Sequence, residues 1–153
     1  PERTDIKMEF EVLHVVQYLY MLVKEGKLKL KKVDKKVTFH DPCDLGRYSG
    51  IYEEPRDLLK AIPGVEFVEL PNSGKYATCC GGGGNVESID AELSSNIAAL
   101  KAKEIIETGV DVVTTSCQQC VRTIVTALKK QKSKIKAVDL TQFVLDSISA
   151  VEE

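Results

Sequence analysis

Five cysteines carry the chemical signal of this chain: Cys43 alone, Cys79 and Cys80 side by side, and Cys117 and Cys120 as a C-x-x-C. The count is odd and two are adjacent, so a tidy set of disulfide pairs does not account for them. Clustered cysteines in a chain with no secretion signal point to metal or redox chemistry. The Cys117-Gln-Gln-Cys120 spacing puts two thiolates within reach of one metal centre, a spacing shared by zinc ribbons, metal clusters and thiol redox enzymes. The adjacent pair is more restrictive. Neighbours in extended backbone point opposite ways, so placing both on a small mononuclear site requires a strained turn, whereas a cluster of several irons has surface for both.

The glycines at 81–84 support the second option. They let the backbone turn sharply and approach a bound group, and their N–H groups can donate to its sulfides. Gly81 and Gly82 are therefore counted with the cysteines as cofactor-binding positions. A phosphate-binding loop is excluded, because Asn85 and Val86 follow the glycines where Lys and Ser/Thr would be needed.

Other polar residues carry weaker signals. His40 stands three residues before Cys43 and is a candidate nitrogen donor, but it also ends a strand, and five thiolates suffice for a site. Pro42 fixes the turn that presents Cys43. Arg47 could offset the charge of a thiolate-bound centre, or be a solvated surface arginine. His14 reads as a half-buried histidine within a helix. The lysine-rich segment 27–36 reads as a solvated face or a protected sheet edge.

Alternating elements must position these cysteines. Residues 5–24 have apolar positions at helical spacing, from Met8 and Val12 to Leu22 and Val23, and Gly26 ends the run. Strands are predicted at 36–40, 65–70, 111–115 and 136–139. Helices are predicted at 54–61, 90–108, 118–130 and 141–150, with Leu93, Ile97, Leu100 and Ile105 as the apolar stripe of the second. Such alternation implies an α/β fold: an open, Rossmann-like, mostly parallel four-stranded sheet flanked by helices, preceded by an N-terminal helix. In a parallel sheet all strands end on one edge, where ligands bind. Cys43 follows the first strand, Cys79 and Cys80 follow the second, and Cys117 follows the third and opens a helix whose free N–H groups favour a thiolate. Three segments far apart in sequence therefore converge.

The 153 residues suit a single cysteine-rich domain, with an N-terminal helix and basic connector over 1–35 and an α/β cluster-binding core over 36–153. The 43% apolar and 29% charged content is ordinary for a globular protein, and the net charge of −2 argues against nucleic acid as a partner. No apolar stretch reaches the ~20 residues of a membrane helix, and no basic-then-apolar signal opens the chain. A cytoplasmic location is expected. The first residue is Pro1, and the chain reads as a fragment of a longer protein.

At these residues the sequence resembles the cysteine-rich CCG domain family, whose pattern is a Cys, a Cys-Cys-Gly well downstream, then Cys-x-x-Cys. Here these are Cys43, Cys79-Cys80-Gly81 and Cys117-Gln-Gln-Cys120, with HDPC at 40–43, LGR at 45–47 and YEEPR at 52–56. The family often has His after its first cysteine; Asp44 stands there and is assigned no role. The family includes the B- and D-type subunits of heterodisulfide reductase and the iron–sulfur subunits of glycolate oxidase, lactate-utilisation enzymes and anaerobic glycerol-3-phosphate dehydrogenase.

The resemblance implies a [4Fe–4S] cluster on the five cysteines, of the noncubane type in heterodisulfide reductase, where it acts directly on a disulfide substrate. It implies an oxidoreductase in which this chain is the C-terminal of two CCG copies. The partners it implies are the first copy, a ferredoxin-like domain, and a flavoprotein or membrane cytochrome subunit that could hold the protein at the inner face of a membrane. A structural zinc site on four of the thiolates and a thiol–disulfide redox domain are the alternatives, and an isolated fragment need not keep its cluster.

Overall fold

A computed structural model describes residues 9–148. Four strands, β1 (Lys35–Phe39), β2 (Val65–Phe67), β3 (Val112–Thr115) and β4 (Lys136–Asp139), form one open sheet in the order β2-β1-β3-β4. Every pairing is parallel, with Val37 opposite both Phe67 and Val112, and Thr115 opposite Asp139. The helices are α1 (Val15–Lys24), α2 (Glu53–Lys60), the short α3 (Val86–Ile89), α4 (Ala91–Glu107), α5 (Gln118–Lys130) and α6 (Leu140–Asp146). The expected α/β class and parallel sheet are both observed. Among the described residues no helix is long and apolar enough to cross a membrane.

Two apolar cores lie on the two faces of the sheet. One gathers Val37, Phe39 and Val112 with Leu58 and Leu59 of α2, Phe143 and Val144 of α6, and Val16 of α1. The other gathers Val113 with Ala98, Ala102 and Ile105 of α4 and Ile124 and Leu128 of α5. Val112 and Val113 are neighbours on β3 and enter opposite cores, as strand alternation requires. Each fully buried Val, Leu, Ile or Phe contributes roughly 1.5–3 kcal/mol. The sheet is thereby a rigid platform with both faces covered, the usual condition of parallel strands.

Four sequence expectations need correction. The first helix starts at Val15, not at residue 5. His14 is its N-cap: Nδ1 accepts from the Val16 N–H at 3.2 Å, and Gln17 Oε1 accepts from the His14 N–H at 3.1 Å. That capping box fixes His14 in extended backbone, so the helix cannot continue upstream; Phe10 and Val12 are exposed, and residues 1–8 lie outside the described range.

Strand β2 ends at Phe67 rather than residue 70, because Glu69 turns to meet Arg56 and Leu70 buries in the core beneath α4. The last helix begins at Leu140, capped by Asp139, and ends at Asp146; residues 149 and 150 are outside the described range.

The apolar stripe assigned to α4 is also wrong in part. Leu93 and Leu100 are 49% and 70% exposed, and the buried positions are Ser94, Ala98, Lys101, Ala102 and Ile105. The cause is a close backbone approach. A Cβ on Gly81 would lie 2.5 Å from the Ser94 carbonyl oxygen and 2.9 Å from the Ala98 nitrogen, so only small residues fit at positions 94 and 98, where the loop meets the helix.

Candidate metal centre

The strand order places a topological switch point between β1 and β3: from β1 the chain runs outward to β2, then returns to the other side for β3. Ligands of open α/β sheets bind beyond the C-terminal ends of the strands at such a point. Here that position is a cavity of about 920 Å³, lined by Cys43, Cys79, Cys80, Cys117 and Cys120 together with His40, Arg47 and Gly82. The structure thus brings all five cysteines to one cavity.

The cysteines are presented in different ways. Cys43 follows the end of β1 and precedes a single π-helical turn (Asp44–Tyr48), closed by the Tyr48 N–H donating to the Cys43 carbonyl at 3.2 Å. Cys117 is the N-cap of α5 in extended backbone, and Cys120 lies in the first turn. Cys79 and Cys80 end the long loop after β2. Burial grades from floor to mouth: Cys80 and Cys120 are 3% and 4% exposed and belong to the core beneath α4 and α5, Cys117 is half-buried, and Cys43 and Cys79 are exposed.

The glycines act through packing as well as through freedom. Gly81, at φ +92°, does not line the cavity; its N–H donates to Cys79 Sγ at 3.3 Å, and its carbonyl accepts from Ser94 Oγ at 2.7 Å. Gly82 donates to Cys80 Sγ at 3.5 Å, and a Cβ there would lie 2.2 Å from Thr123 Oγ1. The Cys79–Gly82 backbone is therefore wedged between α4 and α5, and its N–H groups already support sulfur as anion. Gly83 and Gly84 have nothing within 4 Å of a Cβ and leave the cavity wall without side chains.

A buried ion-pair network holds the loops. The Arg56 guanidinium donates to both Asp41 oxygens and to both Glu69 oxygens, all at 2.8 Å, and to the Tyr52 carbonyl at 2.7 Å. Asp41 also accepts from the Gly74 N–H at 2.8 Å. One arginine on α2 thereby ties the turn before Cys43 to the loop that leads to Cys79. Burial opposes its charge, but the bonds and charges of Asp41 and Glu69 prevail and raise its pKa. Farther along, Glu104 accepts from the Asn72 N–H at 2.8 Å and pairs with the buried Lys101, fastening the same loop to α4.

The thiols are not equivalent. The neighbouring Cys120 thiol is the largest influence on Cys80; burial opposes it, and His40 and the Gly82 N–H add to it, pushing the Cys80 pKa down. Cys120 is pushed up by the neighbouring Cys80, by burial and by Cys117. Burial and the Asp44 charge push Cys43 up. A soft thiolate set of this kind suits zinc or iron–sulfur chemistry.

Of the other sequence candidates, Arg47 lines the cavity and donates to the Ala77 carbonyl at 3.1 Å. Sequence reasoning missed Arg56 and underrated His40. His40 is 1% exposed, a ring nitrogen lies within 4.8 Å of both Cys80 Sγ and Cys120 Sγ, and its Nδ1 has no hydrogen-bond partner in the protein. The signal was its place three residues before Cys43. A buried, unpartnered imidazole nitrogen beside two thiols fits a site that holds a metal.

A family model described as a cysteine-rich domain, CCG, matches residues 37–125. The D-type subunit of dihydromethanophenazine:CoB–CoM heterodisulfide reductase from Methanosarcina acetivorans is 36% identical over 143 residues, which is 93% of this chain and 35% of that protein. A probable iron–sulfur-binding oxidoreductase, FadF, from Bacillus subtilis is 33% identical over 150 residues, covering 96% of this chain and 21% of that protein. The B-type subunit of the CoM/CoB fumarate reductase from Methanothermobacter marburgensis is 39% identical over 124 residues, 81% of this chain and 24% of that protein. The chain spans about a third of the length of the heterodisulfide reductase protein it matches.

Proposed function

The chain belongs to the cysteine-rich CCG domain family, and from that premise we propose that it is the cluster-binding part of an iron–sulfur oxidoreductase. In this reading Cys43, Cys79, Cys80, Cys117 and Cys120 are the ligands of one [4Fe–4S] centre. The carrying observation is that cysteines from three separate segments line one cavity at the switch point of the sheet. The names of the related proteins support the same class, as an iron–sulfur-binding oxidoreductase and as redox enzyme subunits.

The bound cluster supplies one-electron chemistry at a potential set by its ligands, hydrogen bonds and exposure. The protein's own contribution is a buried floor and an open mouth. Cys80 and Cys120 anchor the centre in the core, while the exposed Cys43 and Cys79 and the bare Gly83–Gly84 wall leave room for a small molecule. We take that molecule to be a disulfide. Its reduction consumes two electrons and two protons, breaks one S–S bond and yields two thiols; a flavoprotein or cytochrome partner delivers the electrons and solvent the protons. Arg47 at the cavity wall would meet an anionic group on it. The remainder of the natural chain, with a first CCG copy and a ferredoxin-like domain, and a cytoplasmic site at the membrane's inner face complete the proposal.

A second reading rests on a specific observation. The buried trio of His40, Cys80 and Cys120 is a set that structural zinc would also use. The test is the paramagnetic resonance spectrum of the oxidised, metal-loaded protein with and without small thiols and disulfides. A new or shifted signal supports direct disulfide chemistry. A cluster spectrum unmoved by any of them reduces the proposal to an electron relay, and a protein that retains zinc alone overturns the cluster reading.

A further inference from the structure

The five-cysteine reading leaves one feature of the cavity unused. His40 continues β1 past its last residue, its backbone N–H donating to the Thr114 carbonyl at 2.8 Å, so its position is fixed by the sheet itself. It is buried, at 1% exposed, yet its Nδ1 finds no partner in the protein. Buried polar groups are nearly always satisfied, and an orphan among potential metal ligands marks a place where something else is held. Three further buried hydroxyls lack partners: Thr38 on β1, Thr115 at the end of β3, and Ser116 between it and Cys117.

Distances favour coordination over a spectator role. One ring nitrogen of His40 and the Sγ atoms of Cys80 and Cys120 all lie within 4.8 Å of one another. Around one tetrahedral ion, metal–sulfur bonds of ~2.3 Å and metal–nitrogen bonds of ~2.0 Å put donors roughly 3.5–3.8 Å apart. Closing that gap needs shifts of about 1 Å, within the reach of side-chain torsions on a fixed backbone. The other three cysteines stand nearer the mouth, where Cys43 and Cys79 are exposed. The deepest part of the cavity is therefore a three-donor floor of mixed chemistry.

We propose that His40 is a sixth protein donor of the metal centre, coordinating the floor metal through its imidazole beside Cys80 and Cys120. This rests on the reading of the cavity as a metal site and deepens it. A neutral imidazole at this position adds no negative charge to the metal, where a sixth thiolate would, and so holds the potential above that of an all-sulfur shell, as in clusters where histidines stand in place of cysteines. The same ligand would serve zinc, so the inference does not depend on which metal the protein carries.

The test labels histidine with ¹⁵N and reads the metal-loaded protein directly. In an iron–sulfur form, pulsed paramagnetic resonance of the reduced cluster should show a strong coupling to labelled nitrogen. In a zinc form, X-ray absorption at the metal edge should show the scattering pattern of a bound imidazole. Both signatures should be absent from whatever metal His40→Gln retains. His40→Cys, which keeps a ligand, should bind metal with an all-sulfur shell and, in the iron form, lower the potential. A metal-loaded wild-type protein without nitrogen coupling or imidazole scattering overturns the role of His40 and leaves the metal site standing. A protein that takes up neither iron nor zinc overturns both.

Discussion

Arg56 meets Asp41 in a two-pronged ion pair, Nη1 donating to Oδ1 and Nη2 to Oδ2, each at 2.8 Å with both side chains buried. The remaining edge of the guanidinium is taken by Glu69, and Asp41 in turn receives the Gly74 N–H. The pair therefore ties the turn before Cys43 to the loop after β2. Its energetic meaning is asymmetric: a buried pair contributes little over an apolar replacement, but removing one partner strands the other charge.

Arg56→Met should lower stability by about 3–5 kcal/mol through the stranded Asp41. Arg56→Lys keeps the charge and loses the fork, so it should recover part of the stability but not the loop geometry. Urea unfolding reads the first quantity, and iron and sulfide uptake after refolding reads the second. Wild-type uptake by Arg56→Lys would show that the fork does not position the cysteines.

The glycines should separate cleanly. Gly82→Val places atoms where Thr123 and Gln119 already stand, and Gly81→Ala meets the Ser94 carbonyl in a backbone conformation that L side chains rarely adopt. Both should impair assembly of the metal site. Gly83→Val enters open space and should leave metal uptake within twofold of wild type while weakening the response to thiols. Equal loss of uptake in all three would contradict the packing account.

Cys80 and Cys120 set a pH dependence. The Cys80 thiol is pushed well below, and the Cys120 thiol above, the ordinary cysteine range, each chiefly by the other. Thiolate ultraviolet absorbance from the metal-free protein should persist as pH falls from neutrality and be lost only in the acidic range, below where an ordinary cysteine protonates. Metal affinity should fall over the same acidic range, because protonation competes with the metal for the ligand. Cys120→Ala removes the main stabiliser of the thiolate and should move the midpoint upward; an unchanged midpoint would show that Cys120 is not that stabiliser.

The exposed leucines of α4 give a control. Leu100→Gln should change stability by no more than about 0.5 kcal/mol, as exposed sites do. Ala98→Leu should destabilise by about 1–3 kcal/mol, because it overpacks the contact with Gly81. Differential scanning calorimetry distinguishes these outcomes from the reverse, which a leucine-faced helix would give.

Much of this was legible in the sequence. The strand positions of β1, β3 and β4 and the span of α5 follow from short apolar runs and from Cys117 as a cap, and with them the convergence of the cysteines. What was not legible depends on long-range contact. The buried face of α4 is chosen by the approach of Gly81, which no helical periodicity encodes. Arg56, Asp41 and Glu69 come from three different segments, so their network leaves no local pattern. His14 shows a local failure: apolar spacing upstream of it suggested helix, while its own capping geometry ends one. His40 has a visible signal in its spacing to Cys43, but five thiolates already suffice for a site.

The central claim is that Cys43, Cys79, Cys80, Cys117 and Cys120 hold one iron–sulfur centre. Anaerobic reconstitution with iron and sulfide, followed by iron, acid-labile sulfide and zinc analysis, tests it most directly. About four irons and about four sulfides per chain are expected, as one [4Fe–4S] centre demands, with uptake abolished by Cys117→Ser or Cys120→Ser. Tight binding of one zinc with no sulfide incorporated under the same conditions would contradict it.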